Sequence, residues 1–193
     1  MRAGGRRLAA PLGLALAGLC LLLGALAWPA LLHHVTALQG NRAIVAIEEG
    51  RPLTDAGLQR ALTSRREALT ALEHNRARRE LAQVHLYRAR DAAVDGAVRR
   101  DDVATAAGEL RRALGRAPAD HFAWYHLAMA EALGANAPGA ARALATAYGF
   151  GPYHPPIHAA RAGLGIVLWA ELEDSSRERV LAELAEARAG RRR

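Results

Sequence analysis

The chain has 193 residues and a net charge of +7, and its 51% hydrophobic content is chiefly 46 alanines and 29 leucines. Val, Ile and Thr together number only 18, which excludes a sizeable sheet and makes all-α the expected fold class. All 26 basic residues are arginine. Six of them sit at the ends (Arg2, Arg6, Arg7 and Arg191, Arg192, Arg193), and the middle is left near neutral, unlike a nucleic-acid binder with a basic face. The single cysteine, Cys20, excludes an intramolecular disulfide and a cysteine-based zinc site. The Ala/Arg bias reads as GC-rich, bacterial coding.

Residues 1–7 form a short basic segment expected to stay in the cytoplasm. Residues 8–32 (LAAPLGLALAGLCLLLGALAWPALL) then run uncharged. Since about 20 apolar helical residues cross a bilayer core, 8–32 is expected to be a transmembrane signal anchor. The positive-inside rule orients it with the remaining chain in the periplasm, as a single-pass protein of the bacterial inner membrane. The competing reading is a cleaved signal peptide ending at Ala25-Leu26-Ala27, which releases a soluble module. The length of the apolar run and Pro29 just beyond the scissile bond favour the anchor. Small-residue spacings such as Gly13 with Ala17 are common in so Ala/Gly-rich a stretch, so a homo-oligomer has no specific support.

Residues 33–53 are read as a connector containing the short apolar run Ile44-Val45-Ala46-Ile47. A helical domain is expected over 54–189, followed by a basic tail at 190–193. Thr54 caps the first helix of the domain, with Leu58, Leu62, Leu69 and Leu72 at helical spacing. One helix is expected from Leu81 to Val98, and the next from Asp101-Asp102 to before Pro118. Asp120 caps a helix to about Leu133, Pro138 opens another closed by Gly149, and a further one follows Pro155-Pro156. Ser175 and Glu178 have the spacing of a capping box for the last helix. Short connections make neighbouring helices antiparallel.

Ala106, Leu110, Ala113 and Pro118 recur 34 residues later as Ala140, Leu144, Ala147 and Pro152. Between the two sets lie Trp124, Leu127 and Ala128. On these residues the chain resembles the tetratricopeptide repeat family. Residues 121–154 match in order and spacing, departing at Ala128 for Gly and Glu131 for Tyr, and 87–120 match on their second helix only. The resemblance implies an α-solenoid of antiparallel helix pairs acting as a protein–protein interaction scaffold. It also implies that Phe122, Tyr125 and Met129, with Arg88 and Asp91 from the preceding unit, line a partner groove while Trp124 and the other repeat residues fill the core. The layout is similar to anchored repeat proteins of envelope-polysaccharide loci, which implies a role in cell-envelope or polysaccharide assembly.

No glycine-rich phosphate loop, G-x-S-x-G or H-E-x-x-H is present, so no catalytic residue and no cofactor is expected. An accessory subunit of an envelope enzyme is the alternative from another class. The eight histidines, among them His33-His34, His154 and His158, lack convergent partners at ligand spacing and read as surface or cap residues, so no metal is expected. The arginine pairs Arg65-Arg66, Arg99-Arg100 and Arg111-Arg112 are interleaved with acids, as on a solvated, ion-paired face.

Overall fold

The structure, a computed structural model, describes residues 6–91, 93–152 and 155–190. Most of the basic N-terminus, the Arg191–Arg193 tail, and Tyr153 and His154 of the predicted loop lie outside the described residues. Among the described residues there are eight α-helices and no strand. They are α1 Arg6–Glu48, α2 Asp55–Ala71, α3 Asn75–Ala89, α4 Gly96–Arg116, α5 His121–Leu133, α6 Ala137–Phe150, α7 Pro155–Val167 and α8 Asp174–Gly190, with a 3-10 turn at Trp169–Glu171. The all-α expectation holds.

The helices pack as consecutive pairs: α1 on α2, α3 on α4, α5 on α6, α7 on α8. Successive pairs meet through α2–α3 and α4–α5, and α3 also touches both α1 and α5. Most of the apolar interior is one cluster built from α3 to α8, rich in alanine, with Leu110 and Leu144 fully buried at its centre. A second, smaller cluster joins Ala43 and Ile44 of α1 to Ala61, Leu62, Leu81 and Val84 of α2 and α3.

Helix α1 is 43 residues long, and from Leu16 onward it contains a stretch long and apolar enough to cross a membrane. Leu16, Leu19, Leu21, Leu22, Leu23, Leu26 and Trp28 are all exposed on it. The expected connector is corrected here: residues 33–48 continue the same helix. The cause is packing, because His33, Gly40, Ala43, Ile44 and Ala46 are buried along one side of it. Gly40 marks the closest approach of α1 to α2, where a Cβ would press on Ser64 Oγ and lie 3.3 Å from the Ala61 Cα. The helix ends at Gly50, whose φ of 67° is left-handed, and Arg51 N–H closes back on the Ala46 carbonyl at 2.8 Å.

Several boundaries differ from the sequence reading, and α3 begins at Asn75 instead of Leu81. Helix α3 stops at Ala89, and α4 starts at Gly96, because Asp95 accepts from Ala97 N–H at 2.7 Å and caps it. Asp101 and Asp102 therefore lie inside α4. Helix α8 begins at Asp174, so Ser175 lies within its first turn and cannot be its N-cap. The caps at Thr54 and Asp120 are as expected, each side chain accepting from the first-turn N–H groups.

The arginines are not all solvated. Arg65 and Arg161 are fully buried and are the two largest such side chains. Arg65 joins three helices: it donates to the Ala37 carbonyl at 2.5 Å and to Asn41 Oδ1 at 2.7 Å on α1, and its Nε lies 2.7 Å from Glu80 Oε2 on α3. Arg161 of α7 donates to Glu183 of α8 at 2.8 Å and to the Gly151 carbonyl at the end of α6 at 2.7 Å, with its guanidinium 4.5 Å from the Tyr148 ring centroid. His158, read as a surface or cap residue, is buried beside it, 2.7 Å from Glu186.

Candidate functional site: a groove across the helix pairs

One helix from each of the four pairs contributes to a single open cavity of about 780 Å³. Helix α1 supplies Ile47 and Glu48; α3 supplies Gln83, Leu86 and Tyr87, followed by Arg90 and Asp91; α5 supplies Phe122, Tyr125, His126 and Met129; α7 supplies Ile157 and Ala160. The stripes on α3 and α5 share one pattern. Gln83, Leu86, Tyr87 and Arg90 fall at i, i+3, i+4 and i+7, as do Phe122, Tyr125, His126 and Met129, and that spacing keeps each set on one face.

Four of the five groove residues expected from sequence are brought together here: Asp91, Phe122, Tyr125 and Met129. Arg88 is not. Its guanidinium turns to α4 and grips Asp102, Nε to Oδ2 at 2.6 Å and Nη2 to Oδ1 at 2.5 Å. Carrying Phe122 and Tyr125 back by the 34-residue repeat lands on Arg88 and Asp91, whereas their structural counterparts are Gln83 and Leu86, 39 residues back. The period fails on this helix because α4 has 21 residues where α6 has 14. Matching i, i+3, i+4, i+7 faces, instead of a fixed period, is the signal that finds Gln83 and Tyr87.

The repeat residues divide cleanly. Ala106, Leu110, Ala113, Leu127, Ala128, Ala140, Leu144 and Ala147 are buried, while Pro118 and Pro152 are exposed beyond the ends of α4 and α6. Trp124 is corrected: it is partly exposed, packs against the main cluster, and donates its Nε1–H to the Pro118 carbonyl at 2.7 Å. Tyr125, expected as an exposed groove residue, is 7% exposed and belongs to the main cluster, with part of it lining the cavity.

The polar groups of the groove are of two kinds. Some are committed to the fold. The Tyr87 hydroxyl accepts from Leu53 N–H at 2.9 Å, and His126 Nδ1 lies 2.9 Å from the Phe122 carbonyl oxygen. That oxygen can only accept, so the ring carries its proton on Nδ1. Burial, aided by the charge of Arg79, pushes the His126 pKa down to about 4, which keeps the imidazole neutral. Others are uncommitted. Gln83 is 8% exposed, and among the described residues neither its carboxamide nor the Tyr125 hydroxyl has a hydrogen-bond partner. Neither group is among the fully buried unpaired polar atoms, so both open onto the groove. They are free to pair with water or with a bound segment there.

The other buried polar cluster is structural. His85 Nδ1 lies 2.6 Å from Asp102 Oδ1, and Arg88 completes the carboxylate, locking α3 to α4. Burial alone would raise the Asp102 pKa, but the Arg88 and His85 hydrogen bonds hold it below the usual carboxylate range; burial lowers that of His85. Among the described residues no three His, Cys, Asp or Glu side chains are placed to hold a metal ion. Compared with protein-family models, with curated proteins and with solved structures, the chain matches none.

Proposed function

We propose that this chain is a membrane-anchored, tetratricopeptide-like scaffold. In this reading α1 crosses the bacterial inner membrane with its N-terminus in the cytoplasm, and the helix pairs receive a segment of a protein partner in the periplasm. The supporting observation is the groove: it draws on one helix from each of four pairs, and Gln83 and Tyr125 present polar atoms to it that no described residue pairs. Leu86, Phe122, Met129 and Ile157 beside them suit an apolar side chain, while a carboxamide and a hydroxyl suit a main chain with both N–H and C=O to offer. A role in cell-envelope or polysaccharide assembly is the pathway that this reading favours.

The test places the photo-crosslinking residue benzoylphenylalanine at Phe122 of the full chain in its native cells, with the exposed Leu181 of α8 as the reference position. A discrete ultraviolet-dependent protein adduct is expected at Phe122 and not at Leu181, and Gln83→Leu should weaken it while circular dichroism stays unchanged. Equal labelling at both positions, or an adduct indifferent to Gln83→Leu, overturns the reading.

A further inference from the structure

We propose that the turn between α2 and α3 sits in the lipid headgroup layer of the bilayer that α1 crosses, so that the domain is seated on the membrane instead of held away from it. The inference rests on the reading of α1 as a membrane anchor. It follows from register. Helix α1 is unbroken from its exposed leucines through to Glu48, so no flexible linker separates the span from the domain. Helix α2 runs back down it antiparallel: Gly40 faces Ala61, Ala37 is held by Arg65, and His33 Nδ1 meets the Ala68 carbonyl at 2.9 Å. His33 is the first polar residue after the apolar run 8–32, so the last turn of α2, Ala71 and Leu72, reaches beside the end of that run. Pro29 and Ala30 are accordingly partly covered, while the leucines before them are exposed.

The turn itself carries the chemistry of an interface. Leu72 is 38% exposed. His74 is exposed with its ring 5.3 Å from that of His33, which is also 5.3 Å from that of His34. Arg76 is exposed in the next turn and pairs with Glu80 at 2.7 Å, and Glu73 is held by Arg78 and by Arg116, whose side chain is half-exposed. An exposed apolar side chain in a turn that also carries imidazoles and guanidiniums fits the boundary between acyl chains and phosphates. Tilt does not undo this. A helix axis about 10 Å away moves by only about 3–4 Å at an ordinary tilt near 20°, which is less than a headgroup layer of about 5–7 Å.

The test is spin-label depth in the full chain, purified and reconstituted in bilayers of phosphatidylcholine with phosphatidylglycerol, where no other protein is present to cover the turn. A label on the native Cys20 marks the span. In a Cys20→Ala background, Leu72→Cys reports the turn and Arg100→Cys reports α4 near its N-terminus, far from the turn. The label at position 72 is expected to be several-fold less accessible to a soluble nickel chelate than the label at position 100. Should Leu72→Cys misfold by circular dichroism, His74→Cys at the same turn replaces it. Equal accessibility at the turn and at position 100, with Cys20 protected, overturns the seating and leaves the anchor standing. A Cys20 label open to the chelate overturns both.

Discussion

The middle of the molecule and its two ends are held together by different chemistries. Between α4, α5 and α6 the contacts are alanines, with Ala106, Ala123, Ala128, Ala140 and Ala147 at or near zero exposure and Leu110 and Leu144 filling the space between. Helices that meet on such small residues approach closely and need no polar groups at the contact. At the ends the keys are guanidiniums: Arg65 between α1, α2 and α3, and Arg161 between α6, α7 and α8. An alanine contact can be shortened or lengthened by a methyl group. A buried arginine has to find every one of its partners at once, so the end joints are the more specific and the more brittle.

That contrast predicts its own largest effect. Arg161→Leu should cost about 3–5 kcal/mol in urea unfolding of the full chain in micelles, because Glu183 is left buried without the guanidinium. Adding Glu183→Leu should recover most of the loss, since two apolar residues replace a pair whose desolvation cost is then removed. A double variant as unstable as the single one would mean that Arg161 acts through its packing on Tyr148, and the two regions would differ less than their chemistry suggests.

What could be read in the sequence follows the same division. Ala106, Leu110, Ala140 and Leu144 were legible because their residue types are ordinary core residues and their spacing repeats. Arg65 and Arg161 were not: arginine is normally a surface residue, and the partners Glu80 and Glu183 lie 15 and 22 positions away on other helices, so only the fold brings them together. The connector was misread for a related reason. His33, Gly40 and Ala43 look like loop or membrane-exit residues until α2 is laid against them. The groove stood between these cases. Its α5 stripe was visible as a helical face, its α3 stripe was displaced by five residues through the assumed period, and Ile47 and Ile157 belonged to elements with no repeat signature.

The next effect concerns acid. The His126 pKa lies at about 4 in the folded chain against an ordinary value near 6.5, so the unfolded chain binds this proton first. Its contribution is therefore fully present above about pH 6.5 and disappears as pH falls toward 4, for a loss of about 3 kcal/mol across that window. His85 and Asp102, both held below their ordinary values, act in the same direction. Melting temperatures between pH 7 and pH 4 should fall more gently in His126→Phe than in the native chain. An unchanged slope would show that the groove floor is wetter than its burial implies, and would bring the middle of the molecule closer in character to its ends.

The smallest effect tests how far the alanine-packed middle depends on its one large aromatic of the repeat. A fully buried tryptophan replaced by alanine loses about 3–5 kcal/mol, as a deep repeat-core residue would. Trp124 is partly exposed and keeps one edge on the α4–α5 turn, where Nε1–H meets the Pro118 carbonyl. Trp124→Ala should therefore cost only about 2 kcal/mol, combining part of the burial with a hydrogen bond worth about 1 kcal/mol. Trp124→Phe separates the two, since it keeps most of the apolar contact and deletes the donor; about half of the loss should remain. The alanines around Leu110 and Leu144 would then hold α4, α5 and α6 together without it. A full loss of about 3–5 kcal/mol on Trp124→Ala would instead make this ring the key of the middle, as Arg65 and Arg161 are of the ends.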